Sequence, residues 1–198
     1  MTQSLIPTNV LEQIRTRAPE VDTTSQFPKE NLKALAEAGL LGLCVPSEFG
    51  GKGAGPSAFA SVVEALAGAC ASTAMVYVMH VTAAQAIERS RSPDRAQLLR
   101  DIARGAHLTT LAFSEKGSRS QFWAPVSKLE EGPGGGLRTT ALKSFVTSAS
   151  HADSYVSSAQ RPDAANPMES TLYLVRRGRE GVRVQGRFDG LGLRGNDS

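Results

Sequence analysis

The segment Ser114–Ser120, with the sequence SEKGSRS, carries the residue types with the clearest chemical potential in this chain. It is rich in hydroxyls and small residues, and it follows a run of strand-forming residues, Leu108–Phe113. Backbone amides and hydroxyls at the end of a strand can donate hydrogen bonds to the edge of a planar ring that gathers negative charge when it is reduced. The residues alone leave a second interpretation open, which is that this segment is only a turn.

A second candidate is the pair Phe145 and Thr147, which stand two positions apart in a predicted strand, Ser144–Thr147. Alternate residues of a strand project from the same face, so the aromatic ring and the hydroxyl should lie side by side. Such a pair can pack against a planar cofactor and hydrogen-bond to its edge. Without further information, a core aromatic residue and an ordinary strand threonine fit these positions at least as well.

The remaining ionisable residues form no catalytic arrangement that the sequence reveals. The three histidines, His80, His107 and His151, are scattered and have no carboxylate or thiol at ligand spacing. We therefore predict structural or exposed positions for them, and no metal site. Trp123 is expected to pack at the surface of a sheet, although it follows Ser114–Ser120 closely enough to line a pocket beside that segment. We name no catalytic residue.

Composition and charge are those of an ordinary globular protein. The chain has 198 residues, 40% of them hydrophobic and 21% charged, with a net charge of +3. The basic excess consists of separate arginines in the second half, without the basic and aromatic pattern of nucleic-acid-binding proteins. Cys44 and Cys70 are not spaced as a metal or disulfide framework, and residues 1–11 do not resemble a signal peptide. We therefore expect reduced cysteines, a cytoplasmic location and no nucleic-acid partner.

One stretch raises the question of a membrane span. No charged residue occurs between Glu64 and Glu88, and this length could cross a bilayer. Polar side chains are spaced through the stretch, which makes it too polar for a transmembrane helix. We predict two core helices with a break near residues 68–72 and no membrane span.

Helical periodicity dominates the first half of the chain. Pro7, Pro28 and Pro56 stand where helices are expected to begin, and Gly39 stands where the second helix is expected to end. The tripeptide Ser92-Pro93-Asp94 predicts the start of a further helix, which ends at Gly105.

Beyond Gly105 the pattern changes to short β-branched or alternating runs separated by turn residues, with a hairpin loop at Gly132–Gly136. These runs are Leu108–Phe113, Val126–Leu129, Leu137–Leu142, Ser144–Thr147, Ser154–Ser158, Thr171–Val175 and Val182–Gln185. Short strands at this spacing indicate an antiparallel β-sandwich or barrel. We predict an α+β fold with an all-α domain over residues 1–106 and a β domain over residues 107–198.

Four motifs, in this order, resemble motifs of the acyl-CoA dehydrogenase family. Residues 27–51 read FPKENLKALAEAGLLGLCVPSEFGG, which is similar to the family pattern FP…L…GLLG…VPEEYGG. Residues 111–120, LAFSEKGSRS, stand where the family has a flavin- and substrate-contacting loop, commonly TEPGAGS. Residues 143–153, KSFVTSASHAD, resemble the family's K-W-I-T-N-…-AD, and residues 191–196, LGLRGN, resemble its LGLRGS turn. The resemblance covers nearly the whole chain.

This resemblance implies a flavin- and acyl-substrate-binding portion of an oxidoreductase that passes a hydride from an acyl thioester to FAD. It implies FAD contacts for Leu111, Phe113, Ser114, Gly117, Ser120, Phe145, Val146 and Thr147. Ser120 would also contact the substrate, an acyl group carried by coenzyme A or a carrier protein. The resemblance further implies a homo-oligomer and leaves the electron acceptor open.

The family's catalytic base usually lies in a C-terminal four-helix bundle, and the family glutamate at the position of Glu115 is not that base. We find no such bundle in this sequence and expect a middle domain that is one strand short. The chain is accordingly expected to be a fragment of a longer protein and to be inactive by itself.

Three departures from the family pattern leave two other functions open. Lys116 replaces the usual proline, Arg119 a usual glycine, and Gln121 the usual aspartate. The added charge and bulk imply either a substrate of different charge or a branch that has drifted from fatty acyl-CoA oxidation, and the rival enzyme class is a flavin-dependent monooxygenase on the same fold. The same departures are also compatible with a non-catalytic binding module whose flavin site has decayed.

Overall fold

A computed structural model describes residues 5–119, 121–186 and 189–198. The first half consists of helices in the positions that the sequence predicts. They are α1 (Thr8–Thr24), α2 (Lys29–Glu37), α3 (Pro56–Ala69), α4 (Ala71–Glu88) and α5 (Arg95–Ala103).

Proline and glycine set the helix ends as expected. Pro7 and Pro28 directly precede α1 and α2, and Pro56 is the first residue of α3. Gly39 has a φ of +69°, and its amide donates to the carbonyl of Ala36 at 2.8 Å, which terminates α2.

Helix α4 lies at the centre of the helical part, which explains why it carries no charged residue before Glu88. Tyr77 and Val76 of α4 are fully buried against Leu35 of α2 and Leu66 of α3. The predicted break between α3 and α4 falls at Cys70, whose backbone is extended. Among the described helices, none is sufficiently long and apolar to span a membrane.

The second half contains a three-stranded sheet of β1 (Thr109–Ala112), β4 (Ser154–Gln160) and β5 (Ser170–Arg176), in the order β1-β4-β5. A separate hairpin joins β2 (Glu130–Glu131) to β3 (Leu137–Arg138) through the predicted glycine loop. These helices and small sheets confirm the α+β fold class.

One pairing differs from the expected antiparallel arrangement. β4 and β5 are antiparallel, but β1 runs parallel to β4, with Thr109 opposite Ser154. In the described part of the connection, no α-helix joins the parallel pair, and the chain passes through the loop after β1 and the β2–β3 hairpin instead. The parallel pair is therefore not a βαβ unit.

Three predicted strands are also absent. The runs Val126–Leu129, Ser144–Thr147 and Val182–Gln185 are not strands, and the predicted strand Leu137–Leu142 shortens to Leu137–Arg138. The first run still pairs locally, since Leu129 donates its amide to the carbonyl of Gln160 at 3.0 Å. Alternating β-branched residues occur in irregular segments that hydrogen-bond to a sheet edge as well as in regular strands.

The sheet packs on α4 and α5. Ile87, Leu98 and Ile102 of these helices form one buried cluster with Val156 of β4. The change from helix to strand falls between Ala103 and Thr109, as predicted. The division into domains 1–106 and 107–198 remains a proposal, and this shared cluster joins the two parts.

Candidate functional site

The loop after β1 and the segment before β4 lie side by side. The amide of Ser144 donates to the carbonyl of Ser114 at 2.9 Å, and the amide of Lys116 donates to the carbonyl of Leu142 at 3.1 Å. Glu115 and Lys143 face each other between these two bonds as an antiparallel bridge. The structure thus brings together the two segments that the sequence singled out separately.

Phe145 and Thr147 do not occupy one face of a strand, so that expectation is wrong. Phe145 has a φ of +54° and is 72% exposed, whereas Thr147 is 3% exposed. The alternation ends because Ser148, with a φ of +62°, begins a tight turn in which Ala152 donates its amide to the Ser148 carbonyl at 2.8 Å. Turn geometry of this kind overrides the two-residue period of a strand.

Thr147 is fixed by contacts on both its carbonyl and its hydroxyl. The hydroxyl of Thr110 on β1 donates to the Thr147 carbonyl at 2.8 Å. The Thr147 hydroxyl lies 3.1 Å from that of Ser198. Val146 is half-buried and packs on a small cluster that includes Ala112 and Tyr155. The turn is therefore attached to the sheet at several points.

Glu115 and Lys143 form a buried ion pair beneath the loop, with 2.5 Å between Nζ and Oε1. Glu115 also accepts hydrogen bonds from the Ser127 hydroxyl at 2.6 Å and from the amides of Ser127 and Val126 at 2.7 and 3.0 Å. Burial raises the pKa of Glu115, but the bonds from Lys143 and Ser127 outweigh it and hold that pKa below its ordinary value. A carboxylate engaged in this way serves the structure and is not available as a base.

Lys143 was not identified as a site residue from the sequence. Its Nζ donates to the Ser158 carbonyl at 2.6 Å as well as to Glu115, so it joins the loop to β4. Burial lowers the pKa of Lys143, and the carboxylate of Glu115 opposes this shift. The position of Lys143 at the start of the KSFVT motif could have identified it, but the sequence does not show that Glu115 is its partner.

The rest of the loop is ordered by short-range bonds and presents its two cations to solvent. Ser118 donates its amide to the Glu115 carbonyl at 3.1 Å, and Gly117 has a φ of +98° with open space around it. Lys116 and Arg119 are exposed, and neither forms an ion pair with any described residue. Ser120, the predicted substrate contact, lies outside the described residues.

The remaining two flavin candidates lead into this loop. Leu111 and Phe113 are half-buried and pack against the cluster beneath the sheet. Farther along, Phe122 and Trp123 form an edge-to-face pair with 5.1 Å between ring centroids, and each is 51% exposed. Trp123 therefore lies at the surface and adjoins the loop in sequence.

The three histidines lie where the helical part meets the second half. His80 is fully buried between the Leu41 carbonyl and the Thr109 amide, each at 3.2 Å, and burial lowers its pKa to about 4. His107 contacts the Ser154 hydroxyl at 2.8 Å, and His151 stacks on Phe27.

No group of three metal-ligand side chains occurs within residues 5–119, 121–186 and 189–198. A groove lies between α2 and the turn at 104–108, and none of the candidate site residues lines it. The chemistry of the candidate site therefore depends on the surface where the loop after β1 meets Phe145, rather than on this groove.

Comparison with known proteins gives a consistent result. Residues 2–106 match the family described as the N-terminal domain of acyl-CoA dehydrogenases. The mitochondrial isovaleryl-CoA dehydrogenase of Arabidopsis thaliana is 28% identical over 191 residues, which cover 94% of this chain and 46% of that protein. This chain thus spans about half the length of the curated relatives it matches.

Two solved structures resemble the fold over the whole chain. The nitrososynthase of Micromonospora carbonacea var. africana has a TM-score of 0.80 and 26% identity, over 100% of this chain and 52% of that one. The butyryl-CoA dehydrogenase of Megasphaera elsdenii has a TM-score of 0.83 over 100% of this chain and 54% of that one. Because the sequence identity is only 19%, this structural likeness supports the fold alone. Since the family match covers more than half of the sequence, the chain belongs to the acyl-CoA dehydrogenase family.

Proposed function

We propose that this chain supplies the FAD- and acyl-substrate-binding part of an acyl-CoA dehydrogenase-like oxidoreductase. The observation that carries the proposal is the pairing of residues 114–116 with residues 142–144, which brings both flavin-candidate segments to one edge of the sheet. Residues that hold one ring must converge on one volume, and these two segments are the ones that the family resemblance assigns to the flavin.

The conformation of Phe145 fits a planar ring. A bulky residue at a φ of +54° is strained, and an aromatic side chain that is 72% exposed loses the benefit of burial. Strained backbone of this kind occurs preferentially at functional sites, and an isoalloxazine ring stacked on Phe145 would offset both costs. The backbone and the exposure of Phe145 therefore support a planar cofactor at this position.

The proposed contacts divide into apolar and polar groups. Phe145, Val146 and Phe113 would pack against the ring, with Leu111 supporting the strand. Ser114 and Thr147 would direct hydrogen-bond donors at the ring edge. Gly117, where a side chain would meet open space, leaves room for close approach of a ligand to the backbone. Ser120 would contact both cofactor and substrate.

The proposed reaction removes one hydrogen from each of two adjacent carbons of an acyl thioester. Bound FAD would accept the hydride from the β-carbon. The α-proton is weakly acidic, so hydrogen-bond donors must polarise the thioester carbonyl as the proton leaves. We assign no base to this chain, because Glu115 is already bound by Lys143 and Ser127.

A flavin-dependent monooxygenase is the second candidate. The similarity to a nitrososynthase favours it, because the name of that enzyme denotes a nitrogen-oxidising activity rather than the oxidation of a thioester. The exposed cations Lys116 and Arg119, which replace a usual proline and glycine of the loop, are compatible with a substrate other than a fatty acyl thioester.

The decisive experiment is spectroscopy of the protein produced from its full gene. We expect a yellow protein whose flavin band bleaches when acyl-CoA is added without oxygen. Product formation that requires oxygen and an added reductant would instead establish the monooxygenase. A colourless protein that binds no added flavin would contradict both enzymes and leave a non-catalytic binding module.

We further propose a cytoplasmic homo-oligomer whose substrate is carried by coenzyme A or an acyl carrier protein. The free thiols of Cys44 and Cys70 support a reducing compartment. The exposed Phe122 and Trp123 supply apolar surface of the kind that subunit contacts cover. Size-exclusion chromatography with light scattering tests the oligomer.

A further inference from the structure

We propose that the segment Leu193–Ser198, here called the strap, is a positioning element for the Thr147 turn, and that Asp197 is its main positioning residue. This inference rests on the proposed function, in which Thr147 contacts the flavin edge. The strap would not contact the cofactor itself, but it would set the position of Thr147, which does.

One side of the strap is anchored to the helical part. The guanidinium of Arg194 donates to both carboxylate oxygens of Asp22 on α1, at 2.7 and 3.3 Å. The Gly195 amide donates to the Ser72 hydroxyl of α4 at 3.2 Å. A Cβ at Gly195 would come within 2.4 Å of Val21, so the strap lies too close to α1 to admit a side chain.

The other side of the strap bonds to successive residues of the Thr147 turn. The amides of Ser148 and Ala149 donate to the carbonyls of Asn196 and Asp197 at 2.8 and 2.9 Å. The Asp197 carboxylate accepts from the Ser150 amide at 2.7 Å and from the Ser150 hydroxyl at 3.2 Å. With the Thr147–Ser198 hydroxyl contact, every residue from 147 to 150 is bonded to the strap.

The backbone on both sides of this contact is strained. Ser148, Leu193 and Asp197 have φ values of +62°, +59° and +54°, although none is glycine. Such conformations persist only where surrounding bonds over-determine them. The bonds from the strap hold Ser148 in this conformation, and they fix the position of the preceding residue, Thr147, against β1.

The geometry therefore connects the exposed Asp22–Arg194 pair to the candidate flavin contact through a continuous series of bonds. Asp22 and Arg194 are far from Phe145 in sequence and need not touch the cofactor. Their effect on the flavin would pass through Asp197, the Ser148–Ser150 turn and then Thr147.

The test compares Asp197→Ala with Asp197→Asn in the protein produced from its full gene. Alanine removes the acceptor of both Ser150 bonds and disfavours a positive φ, whereas asparagine tolerates that φ and keeps one acceptor oxygen. We expect Asp197→Ala to weaken FAD binding about fivefold, the equivalent of one hydrogen bond, and to shift the reduction potential of bound flavin. Asp197→Asn should restore both to within about twofold of wild type.

Arg194→Gln is the milder second variant, and Arg104→Gln is its control, because Arg104 forms a comparable exposed ion pair with Asp101 on α5. Arg194→Gln should weaken FAD binding about twofold, within the range of an exposed ion pair, while Arg104→Gln should leave FAD binding unchanged.

Combining Asp197→Ala with Thr147→Val should weaken FAD binding no further than Thr147→Val alone, since both substitutions act through the Thr147 hydroxyl.

A lower melting temperature in Asp197→Ala with unchanged FAD affinity and potential would overturn the inference and leave the strap a structural attachment. Failure of the flavin-binding part of the proposed function looks different, because the wild-type protein itself would then bind no FAD, and this inference would be wrong as well. If Asp197→Ala does not fold, unchanged FAD binding in Arg194→Gln overturns the inference by itself.

Discussion

The helical part and the candidate site differ in what holds their conformation. Residues 5–103 fold around large apolar side chains, such as Leu35 and Leu66, that are completely buried. The site is held by polar contacts between distant parts of the chain, such as the buried Glu115–Lys143 ion pair. Among the described non-glycine residues with positive φ, Ser25 lies in the helical part, and the others are Arg119, Phe145, Ser148, Leu193 and Asp197.

This difference indicates where a mutation should change stability alone and where it should also change ligand binding. Apolar burial is non-directional, so a helical core can lose a methyl group without redirecting a hydrogen bond elsewhere. A polar network fixes directions, and the loss of one member misplaces its neighbours. The predictions that follow test this contrast, beginning with the largest effect.

The largest effect is expected for Lys143→Met. Removing one partner of a buried ion pair costs about 3–5 kcal/mol, because the other charge is left uncompensated. Glu115 keeps its bonds to Ser127 and Val126, so we expect a loss of about 3 kcal/mol in the free energy of unfolding. Urea denaturation measures this loss, and FAD affinity should fall with it because the paired loops separate.

Leu66→Ala is the matched comparison. Leu66 is fully buried in the helical core, and its truncation should also cost about 3 kcal/mol. In conditions where both variants remain folded, only Lys143→Met should weaken FAD binding. Equal loss of FAD affinity in Leu66→Ala would show that the two parts are not held independently.

The second prediction concerns His80, which bonds the helical part to β1. Its pKa is lowered by burial from 6.5 to about 4 in the folded state. The unfolded chain therefore takes up a proton below pH 6.5 that the folded chain does not, so stability falls on acidification between pH 6.5 and about 4. From pH 7 to pH 5 we expect a loss of about 2 kcal/mol in unfolding free energy.

The control is His80→Gln, which cannot become charged. Its stability should depend less on pH over the same range, although burial also lowers the pKa of His107 and of His151, with the same sign. Wild-type urea midpoints that are equal at pH 7 and pH 5 would contradict a neutral buried imidazole at this junction.

The helical part was predictable from the sequence because its signals are local. Pro28 and Gly39 mark the ends of α2 by their own backbone preferences, and the uncharged stretch before Glu88 reports the burial of α4 directly. Each of these features depends on residues within one or two turns of the chain.

The candidate site was predictable only as a set of segments. The motifs identified residues 111–120 and 143–153, but their pairing depends on contacts such as Lys143 with Ser158 that no local pattern reveals. The Ser144–Thr147 strand was predicted wrongly because its β-branched residues satisfy a strand pattern while Ser148 turns the backbone. The parallel β1–β4 pair was missed because strand direction is set by the route of the long connection.

The third prediction is that Thr147→Val lowers FAD affinity by ~1 kcal/mol, which is about fivefold and corresponds to one hydrogen bond. Valine keeps the shape of the side chain and removes only its hydroxyl, so the carbonyl bond from Thr110 should remain. Flavin fluorescence titration measures the affinity. Wild-type affinity in this variant would count against a contact between Thr147 and the flavin.

The smallest effect is expected for Arg119→Gly. Arg119 has a φ of +51°, a conformation that costs a non-glycine residue roughly 1 kcal/mol. Glycine would relieve this strain, but its greater freedom in the unfolded chain cancels part of the stabilisation. We therefore expect a net stabilisation of about 0.5 kcal/mol in urea denaturation. Arg119→Ala is the control, since it removes the charge but keeps the Cβ and the strain, and it should leave stability unchanged. If alanine and glycine stabilise equally, charge at the loop rather than backbone geometry is responsible, and the site would differ from the helical part in its electrostatics instead of its strain.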